Sequence, residues 1–449
     1  MTIASEIQRI KNNISNAYSV CQNKGATMPA TQNSDNLATC ISTIPSGSTS
    51  TGTLSITANG TYDVTNYASA DVNVSGGGSF IGIQREVSAN GTYQIPTASF
   101  TFSLPDNATK IGNYAIYNAF YNCRGLTSVD LSSLTTINGT DAFSTAFYNC
   151  SNLTSVDLSN VTTISGSGAM TSAFFGCSSL TNIDLSSLTT VNSYNAMKYA
   201  FDGCTQLESL DLSSLTTVNA ESAMSSAFYG CLNLKSVDLS NLTTVSGSNA
   251  MNSVFNNCSN LTSVDLSNIT TINGNNVMTS AFNNCSNLTS VDLSNVTTIS
   301  GSNAMTSAFS GCSNLTNLSF ANLETIGANN SSQNYSQFRQ CFNNCNNLTS
   351  ITFPKLKEIY CTGGGSTSLG TFTTNNKVQK MYFPKLDTIT YGSGASTSFQ
   401  YACKNIFYGC TALTELHFGA ANQAAIEASP GYSTAWGRGA GNVTIYFDL

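Results

Sequence analysis

Eight cysteines recur at a strict 27-residue interval: Cys123, Cys150, Cys177, Cys204, Cys231, Cys258, Cys285 and Cys312. A fixed period of this length is the mark of a stacked repeat, in which each unit buries its apolar side only against its neighbours. The pattern continues with insertions at Cys345 and Cys410, and Asn375 fills the Cys position of one further copy, eleven in all. Three residues before each position stands a Phe: Phe120, Phe147, Phe174, Phe201, Phe228, Phe255, Phe282, Phe309, Phe342, Phe372 and Phe407. Three residues after it stands an apolar residue, Leu126 to Leu315 at the same period, then Leu348, Val378 and Leu413.

Within the unit running from Ala146 to Ile164, Leu153, Val156, Leu158 and Val161 give the spacing L-x-x-V-x-L-x-x-V. Val156 and Leu158 lie two apart and point to one face of a short strand, while Ser155, Asp157 and Ser159 point to the other. The residue before each Cys is Asn or Gly throughout, from Asn122 to Gly409, so a turn with positive φ is expected there. A Met column, Met170 to Met305, is placed on the convex side. The A-F-x-x-C-x-x-L-x-x-V-x-L core resembles the BspA-like leucine-rich repeats from Ile111 to Phe418. The expected fold class is an α+β repeat, a leucine-rich-repeat solenoid of parallel short strands, preceded by a small helical segment and β-hairpin units read from the residues ahead of the array. The resemblance implies less about function, because the family spans bacterial surface adhesins, protist proteins and phage proteins.

The composition narrows the function classes. Charged residues are 9% of the 449, and 16 Lys+Arg against 23 Asp+Glu give a net charge of −7. That balance disfavours a nucleic-acid backbone binder. No apolar run approaches the roughly 18 residues needed to span a bilayer. A single His and the lack of a paired-carboxylate motif leave little for acid–base chemistry, so no enzyme and no cofactor are expected.

Outside the array, residues 1–45 read as helical. Ile3, Ile7, Ile10, Ile14, Ala17 and Cys21 form a heptad seam that would suit a homotrimer through residues 3–21, or else a helical hairpin closed by Leu37, Ile41 and Ile44. Residues 46–94 are a linker with two small β units, each opening on Ala-Asn-Gly-Thr-Tyr (Ala58–Tyr62 and Ala89–Tyr93), a hairpin signal. Residues 95–122 form an N-terminal cap, 123–418 the solenoid, and 419–449 a C-terminal cap containing Val443, Ile445 and Phe447. The head phrase from Ile56 to Val74, behind an Ile-rich start, resembles tail-associated proteins of phages and prophages of Gram-positive bacteria. No export signal is read at the N-terminus.

Several surface columns are candidate binding material. Asp130, Asp157, Asp184, Asp211, Asp238, Asp265 and Asp292 form an acidic strip, either solvated carboxylates held by neighbouring Ser or a strip that takes cations or glycans. One carboxylate per coil is too few for a firm Ca²⁺ site. The cysteines read as buried free thiols, and a zinc site around Cys341, Cys345, Cys361, Cys403, Cys410 and His417 is disfavoured because those residues fill ordinary repeat slots. Charge shifts along the chain: residues 123–320 carry three basic and eleven acidic residues, residues 321–449 eight basic and six acidic. Tyr360, Lys380, Tyr382, Lys385, Tyr391 and His417 are therefore taken as the recognition patch. The resulting expectation is a non-enzymatic phage tail or fibre protein in the virion. Its head would attach to other tail proteins and its solenoid would bind a bacterial surface glycan or protein. The alternative is a bacterial surface adhesin that binds host proteins.

Overall fold

The structure, a computed structural model, describes residues 53–56, 69–72, 100–104, 109–327, 337–361, 371–372, 375, 377–391, 405–437 and 443–449. The chain divides into two compact units, and the solenoid unit comprises Leu54–Thr65 and Ser69–Leu449. The helical reading of residues 1–45, the Ile seam and the two Asn-Gly turns lie outside the described residues.

Each coil contributes one outward-facing strand of the Ser-Val-Asp type, such as Ser155–Asp157, and these stack in parallel and in register. Ser209, Leu210 and Asp211 lie opposite Ser236, Val237 and Asp238, which lie opposite Ser263, Val264 and Asp265. With three preceding strands of other sequence, Thr53–Ile56, Ser69–Val72 and Phe100–Ser103, these strands make an eleven-stranded sheet that ends at Asn317–Ser319. Ser69–Val72 and Phe100–Ser103 are adjacent strands of it and run parallel, so the described strands of the linker region are themselves successive rungs of the ladder. The face assignment is as the alternation requires: Val156 and Leu158 are buried, and Ser155 and Asp157 are exposed. A second, ten-stranded sheet, Thr136–Ile137 to Thr388–Tyr391, is built from the Thr-Ile or Thr-Val pair that follows each first strand. A four-stranded sheet continues the array through Ser350–Thr352, Lys380–Phe383, Glu415–Phe418 and Thr444–Phe447.

The third side of each coil corrects the α+β expectation. Among the described residues no helix forms there; the described helical pieces are Ala420–Asn422, Gln423–Glu427 and Tyr432–Gly437, all in the C-terminal cap. In place of a helix the chain makes successive four-residue turns, with Asp141, Thr145 and Asn149 at positive φ in one coil and Gly168, Ser172 and Gly176 in the next. Ala146 N–H donates to Phe143 within the coil, while Phe143 and Phe147 N–H donate to Ala169 and Ala173 of the following coil. Intra-coil and inter-coil bonds alternate, so this side is a third inter-coil ladder. Non-Gly residues in the left-handed region cost about 1–2 kcal/mol each, and the alternating bonds hold them there. The Asn or Gly before each Cys is at positive φ in all ten copies, from Asn122 at 59° to Gly409 at 74°.

The turns aim two apolar residues per four inward, which puts Ala, Met, Phe and Cys columns in the core. Phe rings stack coil on coil, with Phe174 to Phe201 at 5.2 Å and 4° and Phe201 to Phe228 at 5.3 Å and 5°. Each thiol from Cys150 to Cys312 donates to the Phe carbonyl of the preceding coil, as Cys177 does to Phe147 at 3.2 Å. Asn375 does the same with its amide, donating to Phe338 at 3.2 Å and to Phe372 at 2.7 Å. The column therefore selects a small buried donor, and Asn can stand in for Cys. At that coil the stacking slips by one four-residue turn: Phe372 lies on Phe338 at 5.2 Å, four residues before the expected Phe342. A segment whose inward pattern repeats every four residues can slide by one turn and still fill its core.

Candidate functional site

The acidic strip lies on the outward face of the eleven-stranded sheet, with Asp130, Asp157, Asp184, Asp211, Asp238, Asp265 and Asp292 in direct strand-to-strand register. Adjacent carboxylates are thus about one strand spacing, ~4.8 Å, apart at the backbone. Each one accepts the backbone N–H of the Ser two residues on: Ser132, Ser159, Ser186, Ser213, Ser240, Ser267 and Ser294, at 2.8–3.0 Å. Ser132 and Ser186 add their hydroxyls at 2.6 and 2.7 Å. The Asp therefore terminates its strand by an Asx turn, which accounts for its recurrence without a ligand. The Ser213 hydroxyl and N–H hold the Asp211 carboxyl below its ordinary range. Ser209, Asp211, Ser236, Asp238, Ser263 and Asp265 are among the walls of an open groove of about 870 Å³ along this face.

Further along, the same outward column changes from carboxylates to rings. In the four-stranded sheet Thr352, Tyr382, His417 and Tyr446 lie opposite one another in sequence. Tyr382 stacks on His417 at 4.6 Å and 23°, and His417 on Tyr446 at 4.6 Å and 12°. His417 is nearly buried by this sandwich. Its Nδ1 lies 2.9 Å from Asp448 Oδ1 and its Nε2 lies 3.1 Å from Glu415 Oε2. Lys380, one strand across from Glu415, pairs with it at 2.9 Å. That bond raises the Lys380 ammonium pKa, and with the His417 contact it lowers that of the Glu415 carboxyl. The ladder is a fixed aromatic strip edged by one ammonium and two carboxylates.

Of the six residues expected in one patch, Lys380, Tyr382 and His417 come together here. Lys385 is exposed in the turn after Lys380–Phe383. Tyr360 and Tyr391 belong to the other, ten-stranded sheet, where Tyr360 lies opposite Thr390 and Cys361 opposite Tyr391. The Tyr360 hydroxyl donates to Glu358 at 3.0 Å, and its pKa is raised first by burial and then by that contact. Glu415, Tyr446 and Asp448 were not anticipated. The alternation Val443, Ile445, Phe447 put Tyr446 on the outward face, and that was the available signal. Among the described residues no group of three or more His, Cys, Asp or Glu could hold a metal ion, and no helix is long and apolar enough to cross a membrane. The cysteines whose side chains are described are buried.

Parallel strands at a 27-residue period, with a Leu-rich inward ladder, define a leucine-rich-repeat solenoid, a fold typical of non-enzymatic binding proteins. A model of the BspA type leucine-rich repeat region matches residues 93–197, 172–300, 252–382 and 335–428, and the chain belongs to that family. Similar solved structures include a leucine-rich repeat protein of Bacteroides ovatus, 18% identical, with 77% of this chain and 91% of that one covered at a TM-score of 0.28. They also include a leucine rich cell surface protein of Faecalibacterium prausnitzii, 19% identical, covering 74% and 91% at 0.27. The pneumococcal vaccine antigen PcpA is 13% identical, covering 90% of each chain at 0.36. No curated protein sequence matches the chain.

Proposed function

We propose that the chain is a non-enzymatic adhesin of the bacterial cell-surface type, and that it binds a host protein through the strip formed by Tyr382, His417, Tyr446 and Lys380. The carrying observation is the change in the outward column. The strict coils present nearly identical Ser-Asp-Ser faces whose carboxylates are engaged by their own Ser, so they discriminate poorly between ligands. The ring ladder is the place where that face becomes aromatic, and aromatic rings are the material of interface hot spots. Family membership supports a surface location, since BspA-type repeat proteins are typically displayed on cells.

A second reading, host recognition by a virion tail protein, draws on the head phrase from Ile56 to Val74 and its likeness to phage tail-associated proteins. The two are separated by offering the full chain immobilised host extracellular proteins and purified bacterial wall glycan. Capture by host protein that is lost in Tyr382→Ala with Lys380→Ala, and kept in Asp211→Ala with Asp238→Ala, supports the adhesin. Capture by wall glycan alone supports the virion reading. Loss of binding only in the Asp pair moves the site to the acidic strip.

A further inference from the structure

A second aromatic ladder lies on the turn side of the array, in the column just before the Asn or Gly. Tyr121 stacks on Tyr148 at 4.7 Å and 4°, and Tyr148 on Phe175 at 4.6 Å and 3°. The next coil breaks it with Asp202, and the coil after that restores a ring with Tyr229. The backbone confirms that these three are stacked neighbours: Gly176 N–H donates to Asp202 at 2.7 Å, and Gly203 N–H donates to Tyr229 at 2.8 Å. Phe175 and Tyr229 are therefore two coil spacings apart, about 9.6 Å at the backbone. An aromatic ring is about 3.5 Å thick by ordinary carbon contact distances, so about 6 Å remains between the two ring positions. The short Asp side chain fills only the floor of that gap. Tyr229 is tethered away from it, its hydroxyl accepting the Asn257 side-chain amide at 2.7 Å.

The floor is chemically unsettled. Among the described residues the hydrogen bonds of Asp202 are those of its backbone. Its carboxyl pKa is pushed up to about 7, with burial as the cause and neither a donor nor a cation acting against it. Lys198 of the same coil lies instead over the Tyr199 ring, 5.2 Å from its centroid. Elsewhere in the regular array this column places a ring beside a ring or carries Asn256, Asn283 and Ser310, so only here does a carboxyl sit between ring positions.

We propose that the gap bounded by Phe175, Asp202 and Tyr229 is a binding slot for an organic cation, specifically the guanidinium of an arginine side chain on a protein partner. A guanidinium is planar and one atom thick, so it fits an opening of about 6 Å while stacking on the free face of Phe175. Its paired N–H donors match the two oxygens of a carboxylate in a bidentate contact. The charge also restores ionisation to a carboxyl that burial disfavours. A hydrated lysine ammonium gains less from the flat wall, and a neutral sugar leaves the carboxyl without a counter-charge. The slot is separate from the Tyr382 strip, and neither stands or falls with the other.

The test uses the full chain and a fluorescent tetra-arginine peptide, with a tetra-citrulline peptide as its neutral near-isostere, followed by anisotropy at 0.15 M salt. We expect saturable binding of the arginine peptide that weakens at least tenfold in Asp202→Asn and in Phe175→Ala, and is unchanged in Asp211→Asn. Asn occurs naturally in this column at 256 and 283, so Asp202→Asn keeps the fold, which circular dichroism verifies. Binding should weaken as pH falls from 8 to 6 in the parent and not in Asp202→Asn. The groups coupled to this carboxyl are the Tyr148 hydroxyl and the Cys204 and Cys231 thiols, all with raised pKa values, so they stay protonated across that range. Equal weakening in Asp202→Asn and Asp211→Asn would show diffuse attraction to an acidic surface and overturn the slot. Equal binding of the citrulline peptide, or of N-acetylglucosamine oligomers in competition, would overturn the cationic ligand.

Discussion

The strict coils, residues 123–320, and the irregular coils after residue 337 solve the same stacking problem with different side chains. In the strict coils nearly every exposed polar group serves the repeat. Asp closes an Asx turn on the following Ser, and Thr162, Thr189 and Thr216 hydroxyls each donate to the Thr carbonyl one coil back. In the irregular coils polar groups pair across coils as ions and rings: Lys357 with Glu324, Lys380 with Glu415, and His417 between two tyrosines. Local self-satisfaction can be copied indefinitely, which is why the strict face is uniform. Cross-coil pairing needs different residues in successive coils, so it is where chemical individuality arises. Lys235, paired with Glu208 one coil back at 2.9 Å, and Asp202 put individuality inside the strict region.

The largest expected effect comes at alkaline pH, and the comparison it sharpens is between coils with a buried thiol, those of Cys341, Cys345 and Cys410 included, and the one without. Every strict coil carries a buried thiol, whereas the coil containing Asn375 fills that slot with an amide. Burial pushes the Cys177 and Cys345 thiols up to about 12, and the Cys204, Cys231, Cys285 and Cys312 thiols well above their ordinary value. The sign is fixed by linkage. A thiol whose folded pKa is raised contributes stability that is fully present below its unfolded value, near 9, and lost as pH rises toward the folded value. Each such thiol withdraws about 1.4 kcal/mol per pH unit above its unfolded pKa, and the losses from stacked coils add. Urea midpoints under reducing conditions should fall steeply between pH 9 and 11. A midpoint that is flat across that range would show that the thiols are not buried as described.

The ring ladder provides the next largest effect. Phe228 is fully buried between Phe201 and Phe255, stacked at 5.3 and 5.7 Å. Phe228→Ala should cost about 3–5 kcal/mol through lost burial and a cavity. Coupling in a solenoid passes only between neighbours, so the cut should also separate the two regions. Trp436, the single tryptophan, is buried in the C-terminal cap against Phe407 and Phe418. Its fluorescence should therefore outlast the far-ultraviolet circular dichroism signal in urea in Phe228→Ala, while the two coincide in the parent. Coincident transitions in both proteins would mean that the regions unfold as one unit.

How much of this was legible differs by column. Cys, Phe and Leu columns and the positive φ at Asn149 or Gly176 followed from residue types that tolerate few alternatives. The second sheet escaped because Thr163–Ile164 is two residues long, too short to show a period. The turns at Thr145 and Ser172 escaped because Thr and Ser do not advertise a left-handed backbone; stacking imposes it on them. The slip at Phe372 arose because a four-residue inward period offers two equally apolar registers. The patch was half legible for a related reason. Insertions at irregular coils blur which residue stacks on which, so Tyr360 and Tyr391 were grouped with Tyr382 although they lie in the other sheet. Glu415 and Asp448, which flank His417, carried no signal until the register was known.

The smallest effect sharpens the reading of the acidic strip itself. If each Asp is kept for its Asx turn, an amide oxygen should serve as well as a carboxylate oxygen. Asp238→Asn retains an acceptor for the Ser240 N–H, now met at 2.9 Å, and removes one like charge between Asp211 and Asp265. Like charges opposite one another on a sheet are unfavourable by a few tenths of a kcal/mol, so Asp238→Asn should be neutral or slightly stabilising. Asp238→Ala also relieves the repulsion but leaves the Ser240 N–H without its acceptor, for a net loss of about 1 kcal/mol. The two variants therefore move in opposite directions if the column is structural. Acid should act in the same sense on Asp211. Its pKa is lowered in the fold, so the stability it contributes is present above the unfolded pKa and is lost as pH falls through the folded one. Thermal unfolding of the pair at low salt decides the matter. If Asn and Ala destabilise equally, charge and not turn geometry is what the column preserves, and the strip regains its claim to a ligand.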